Sequence, residues 1–218
     1  MHGEVLSAAA AREFPKIGGL AAAGGFVLVG GTALALHLGH RRSDDLDFFR
    51  NEGFEPQTLV EQLAQAYPTG LQILDAGHRD TLHLVAGGVK ISFLRQTGGH
   101  LRDALDYNGA RVAQVGDLAA MKVNAISTRG AKKDFIDLYF AAQSGFPFPA
   151  MLGAALTVFP RMNPVHILKS FTYFEDADAD PTPLMLKPCS WPQVKRFFTD
   201  AAVSLQLAEL TNSPHNRA

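Results

Sequence analysis

The chain is 218 residues long, 47% hydrophobic and 19% charged, with a formal net charge of −1. That length holds one large domain or a domain with a sizeable appendage, and the charge balance excludes the global basic field of a dedicated nucleic-acid binder, so nucleic-acid contact must come from a local patch. Cys189 is the only cysteine, which excludes an intramolecular disulfide and points to a reducing compartment.

Residues 1–15 carry charges at Glu4, Arg12 and Glu13 and lack the apolar core of a signal peptide, so a cytoplasmic protein is expected. Residues 18–39 are almost continuously apolar and approach the length of a membrane span. Gly18, Gly19, Gly24, Gly25, Gly30 and Gly31 cut this stretch into short pieces, which suits a buried strand between turns and predicts no membrane contact. That strand covers residues 26–29. Gly30 and Gly31 then turn the backbone into a short helix from Thr32 to Gly39, whose unpaired N–H groups and dipole make an anion site. Arg41 and Arg42 follow with planar donors suited to phosphate.

The run Asp45-Leu46-Asp47-Phe48-Phe49 comes next. Side chains two apart in a strand project to one side, so Asp45 and Asp47 are expected to share a small volume. Like charges placed so closely repel unless a cation or a proton relieves them. Hard oxygen ligands of this kind suit Mg²⁺, or Mn²⁺, completed by substrate phosphates. Residue chemistry therefore predicts a triphosphate at the glycines and a metal between it and the two aspartates.

Residues 55–66 have Leu59, Val60, Leu63 and Ala66 at helical spacing, and residues 68–70 stop the helix. Strands are predicted at residues 71–74, 81–85 and 89–94, the last two joined by a tight turn at Ala86, Gly87 and Gly88. Asp117 reads as the N-cap of a helix with Leu118, Met121, Ala125 and Ile126 on its core face, and Gly130 separates it from a second helix ending near Gly145. On that second helix Asp134 and Asp137 are three apart on one face, where carboxylates ordinarily cap, pair or face solvent. Further helices are predicted at residues 151–158, 165–173 and 191–210, with fraying after Thr211. Between the last two, residues 175–181 form an acidic stretch, read as a solvated linker or a face that meets a basic partner. His37 reads as a satisfied buried histidine, and Cys189 has no partner that would make it a nucleophile.

An apolar-Gly-Gly turn, thirteen residues and then Asp-apolar-Asp-apolar is similar to the signature of the nucleotidyltransferase superfamily, the polymerase-β-like fold. The string from His40 to Phe49 resembles the narrower AbiEii/AbiGii toxin family, and Lys122, Arg129 and Lys133-Asp134-x-x-Asp137 are similar to that family's second block. The resemblance implies an α/β (α+β) nucleotidyltransferase fold, with a mixed sheet flanked by helices in a core at residues 1–115 and a helical region at 116–218 packed on it. It implies an Mg²⁺-dependent enzyme moving a nucleoside monophosphate from an NTP to a hydroxyl of RNA, tRNA among the candidates, or of protein, as the toxin of a bacterial toxin–antitoxin or phage-defence system with a cognate antitoxin. Asp45, Asp47, Lys122 and Asp137 would be catalytic, the first two holding the metal and Lys122 neutralising developing charge. Gly30, Gly31, Thr32, Arg41, Arg42, Ser43 and Asp134 would bind the nucleotide. The superfamily often places a third carboxylate on a neighbouring strand, where this chain has Ser92 and no acid. The alternative is therefore a weak or inactive nucleotide-binding module acting through a protein partner.

Overall fold

The computed structural model describes residues 1–77, 79–97 and 104–212, with side chains as far as Leu205. The chain divides into two units, Met1–Leu118 and Ala119–Ala218. Short apolar and alternating runs in the first unit form strands β1 (Val27–Val29), β2 (Leu46–Arg50), β3 (Leu71–Asp75), β4 (Thr81–Ala86), β5 (Val89–Arg95), β6 (Leu105–Tyr107) and β7 (Ala110–Val112). They make one mixed sheet in the order β3-β4-β5-β2-β1-β7-β6, with β2 parallel to β5 and β1 parallel to β7. The period-two pattern decides what each face carries. Leu46, Phe48, Leu82, Leu84, Ile91 and Phe93 are buried, with Phe48 stacked on Phe93 at 5.3 Å and Phe26 edge-on to Phe93 at 5.0 Å. Asp47, His83 and Ser92 take the alternate positions and are only half-buried.

Helices α1 (Ala8–Ala23), α2 (Gly30–Leu38) and α3 (Pro56–Ala66) complete this unit. Here the glycine-punctuated reading needs correction. Gly18 and Gly19 lie inside α1, which also contains Pro15, although both residue types disfavour helix interiors. Packing overrides propensity: α1 lies on β7 so closely that a Cβ at Gly18 would stand 2.6 Å from Ala110 Cβ. The β6–β7 hairpin was also absent from the sequence reading, yet Asn108 at φ 45 and Gly109 at φ 86 make its two-residue turn. Asn-Gly is the preferred dipeptide there because both central residues must take positive φ.

The division between units falls within α4 (Val115–Thr128), which begins two residues before Asp117. Asp117 is thus in the first turn rather than the N-cap, its own N–H bonded to Gln114 O at 3.1 Å. The second unit continues with α5 (Lys132–Gln143), α6 (Phe148–Val158), α7 (Pro164–Ser170), α8 (Glu175–Ala179) and α9 (Trp191–Asn212). Phe135, Phe148, Phe171 and Phe198 are buried together, with centroids 4.7 Å apart for Phe148 and Phe171 and 5.3 Å for Phe135 and Phe198. The acidic stretch is not a linker. It forms α8, and its carboxylates are used internally: Asp178 accepts from Trp191 Nε1 at 2.6 Å and from Lys195 at 3.0 Å, while Asp180 Oδ2 accepts from Lys132 N at 2.9 Å and so caps α5 from a distance. The expected fraying after Thr211 bears mainly on residues 213–218, outside the described residues. Among those described, no helix is long and apolar enough to cross a membrane.

Candidate active site

The turn between β1 and α2 is shaped by what approaches it. Gly30 has φ +72, a left-handed conformation that favours glycine. A Cβ there would stand 2.8 Å from Asp47 Oδ2, and one at Gly31 would collide with Arg41 Nη2. Only glycines let a carboxylate and a guanidinium close on the first turn of one helix. That turn also carries orphan N–H groups and the positive end of the dipole, which favour negative charge.

The loop from Arg41 to Asp45 is pinned from both sides. Thr32, 2% exposed, donates its hydroxyl to Asp45 O at 2.5 Å and lies 2.8 Å from Ser43 Oγ. Arg41 Nη1 donates to Arg42 O at 3.0 Å, and Arg42 Nη1 to Leu6 O at 3.0 Å. Ser43 N donates to Val5 O at 3.1 Å. Asp44 Oδ1 accepts from Ser7 N at 2.8 Å, and Ser7 in turn is the N-cap of α1. Sequence reasoning found none of these N-terminal supports, because nothing in residues 5–7 marks a partner so far along the chain. With its carbonyl held by Thr32, Asp45 ends this loop instead of opening the strand. β2 starts at Leu46, so Asp45 is exposed and Asp47 half-buried.

Asp47 stands in register with Val29 on β1 and with Ser92 on β5. Ser92 is therefore the residue next to Asp47 on the neighbouring strand, and it pairs on its other side with His83, whose Nδ1 is 3.1 Å from Ser92 Oγ. The alternation of residues 81–86 already placed His83 on the polar face, a signal that sequence reasoning did not use.

The remaining predicted site residues gather in the second unit. Lys122 Nζ is 2.6 Å from Asp134 Oδ1 and 2.7 Å from Asp137 Oδ2, and Arg129 grips Asp134 through Nε at 2.9 Å and Nη2 at 3.1 Å. Both carboxylates are fully buried and Lys122 is 5% exposed. Burial alone pushes the Asp134 carboxyl up, but the Lys122 charge and the bonds from Arg129 and Lys122 outweigh it and hold Asp134 below the usual carboxylate range. Two cations thus meet two buried anions, Lys122 from inside and Arg129 from the exposed side. Gly30, Gly31, Thr32, Arg41, Ser43 and Asp47 are brought together in one unit, and Lys122, Asp134 and Asp137 in the other.

Other groups are committed to structure. His37 Nε2 donates to Ala113 O at 2.8 Å, and burial, against that bond, lowers its pKa, so it is a satisfied neutral histidine. Burial raises the Cys189 thiol, which disfavours a nucleophilic thiolate. A cleft of about 610 Å³ opens beside Phe26, Arg50, Phe54 and Arg79. Arg50 gives its donors to Gly24 O, Glu52 O and Gly53 O, making it a staple between main-chain segments.

Comparison with known proteins adds an independent finding. Residues 20–200 match the model of the family described as "Nucleotidyl transferase AbiEii toxin, Type IV TA system". An uncharacterized protein of Aquifex aeolicus (strain VF5) is 32% identical over 199 residues, spanning 84% of this chain and 89% of its own. Among solved structures, a candidate nucleotidyltransferase from H. pylori is 20% identical with a TM-score of 0.56, covering 94% of this chain and 98% of that one. The nucleotidyltransferase toxin MenT4 from Mycobacterium tuberculosis H37Rv is 17% identical with a TM-score of 0.53, covering 99% and 93% respectively. At such identities these two likenesses speak for the fold alone.

Proposed function

Because the chain belongs to the family of nucleotidyl transferase AbiEii toxins of type IV toxin–antitoxin systems, and is by that membership a nucleotidyltransferase, we propose that it uses an NTP and Mg²⁺, or Mn²⁺, to place a nucleoside monophosphate on a hydroxyl of RNA in the bacterial cytoplasm, and that a cognate antitoxin restrains it. The observation that carries the reading is the close approach of Asp47 Oδ2 to Gly30 at the first turn of α2, which joins a metal-type ligand to an anion-binding helix start.

The donor set fits a hard divalent cation. Asp45 and Asp47 offer two carboxylates and, among the described residues, no group of three or more His, Cys, Asp or Glu closes a cage; such a site takes its other ligands from substrate phosphates and water. When bound, the cation neutralises phosphate charge and polarises the reacting phosphorus. The chain's own residues do the rest. Main-chain N–H groups at Gly30 and Gly31 receive phosphate oxygens; Arg41 and Ser43 border the same turn as further donors, Arg42 is proposed as another, and Thr32 holds the loop that carries them. Lys122, whose ammonium bonds Asp134 and Asp137, is proposed as the cation that neutralises developing charge. The acceptor oxygen forms a bond to the α-phosphorus, the bond to the bridging oxygen breaks, and pyrophosphate leaves.

The test is incubation with each α-³²P-labelled NTP, Mg²⁺ and total RNA. Labelled RNA is expected from the wild type. Asp47→Asn should cut labelling at least about a hundredfold, the scale of several kcal/mol of lost metal-assisted stabilisation, while melting as the wild type does. Label on protein alone would replace the RNA acceptor. An Asp47→Asn protein as active as the wild type would remove the metal assignment.

A further inference from the structure

Three polar side chains lie in one cross-strand row on the sheet. His83 on β4 is opposite Ser92 on β5, and Ser92 is beside Asp47 on β2. Residues paired across a ladder project to the same face, so His83 faces the side on which Asp47 stands. Its chain neighbours Leu82 and Leu84 fill the core on the other face with no exposure at all, whereas His83 is half-exposed and contributes nothing to that core. His83 Nδ1 and Ser92 Oγ are 3.1 Å apart, a contact that fixes the imidazole.

We propose that His83 is a further catalytic residue of the transfer described above, the base that takes the proton from the attacking hydroxyl. The assignment rests on the nucleotidyl-transfer reading. Two ladder steps separate His83 from Asp47, or about 10 Å between their backbones. A phosphate held beside Asp47 and a hydroxyl about 3 Å from its phosphorus fit within a span of that size. In the tautomer the step requires, Nδ1–H donates to Ser92 Oγ and Nε2 presents its lone pair, since the bond at one ring nitrogen sets the protonation of the other. As the acceptor oxygen bonds to the α-phosphorus and pyrophosphate departs with the electrons of the broken P–O bond, the hydroxyl proton passes to Nε2. Ser92 is then a positioning residue.

A merely structural role predicts something different, because a cross-strand polar pair contributes only about 0.2–1 kcal/mol to a sheet. Single-turnover transfer from α-³²P-labelled NTPs to total RNA is compared for wild type, His83→Ala and His83→Gln, with binding of a non-hydrolysable NTP measured by calorimetry. Both variants should lose about 10²- to 10⁴-fold in rate with nucleotide affinity unchanged, and free imidazole should restore part of the rate to His83→Ala alone. Transfer at the wild-type rate in both variants overturns the assignment while leaving the nucleotidyltransferase reading intact. So does a loss shared with nucleotide affinity and not recovered by imidazole, or a failure of both variants to fold, since each marks a structural residue. A wild type that labels no RNA removes the RNA-acceptor reading, and this assignment falls with it.

Discussion

Two aspartate pairs sit in this chain under very different physical conditions. Asp45 and Asp47 stand at the start of β2, the central strand of the sheet, the first exposed and the second half-buried beside a glycine turn. Asp134 and Asp137 are fully buried on α5, with Lys122 between them and Arg129 on the outer side. The first pair is the one proposed to hold a cation, and the second is bonded to the chain's own Lys122. In a motif the two look alike, since each is a close repeat of acids next to basic residues; burial separates a pair near the surface from a closed ion cluster.

The largest effect should come from breaking the closed cluster. Lys122→Ala leaves two buried carboxylates without the cation that joins them, and removal of one partner from a buried ion pair costs about 3–5 kcal/mol. A clear drop in melting temperature is expected, together with lower abundance in cells, so any loss of toxicity must be read at matched protein levels. A Lys122→Ala protein melting like the wild type would erase the distinction between the two pairs.

A smaller effect is expected at the open site. Gly30→Ala adds a methyl at positive φ and 2.8 Å from Asp47 Oδ2, strain of about 1–3 kcal/mol. Because the collision is with the carboxylate proposed to hold the metal, transfer should fall further than stability does, as parallel melting and label-transfer assays would show. Loss of stability with normal transfer would place the metal-binding carboxylate elsewhere.

Acid gives the mildest perturbation. Asp134 is held below its ordinary value in the folded chain, so it binds a proton more readily when unfolded, and its stabilising contribution is present at neutral pH. That contribution fades as pH falls below about 4, the ordinary aspartate value, toward the lower folded one. Melting temperatures of wild type and Asp134→Asn should therefore differ at neutral pH and converge on acidification. A gap that stays constant with pH would mean that Asp134 does not titrate as a paired carboxylate.

Much of the first unit was legible from local pattern. Residues 26–29, the Gly30-Gly31 turn, the helix behind it and the strands at 81–86 and 89–95 follow from alternation and turn chemistry, which act over a few residues. The Asn108-Gly109 hairpin was equally legible and went unread. Helix α1 was not legible, because Pro15, Gly18 and Gly19 argue locally against it and only Ala110 on a distant strand explains why a residue without a Cβ is needed at position 18.

By itself the sequence determined the family, the glycine turn, the Asp45 and Asp47 motif and the composition of the second block. Tertiary structure alone decided that Asp45 belongs to a loop clamped by Thr32 and the N-terminal segment, that Ser92 stands between Asp47 and His83, and that Lys122 is already bonded to Asp134 and Asp137. The physical reason is range. Periodicity and turn residues encode which way a side chain faces, whereas strand register and buried ion pairing are fixed by segments far apart in the chain, whose encounter depends on how the whole core closes.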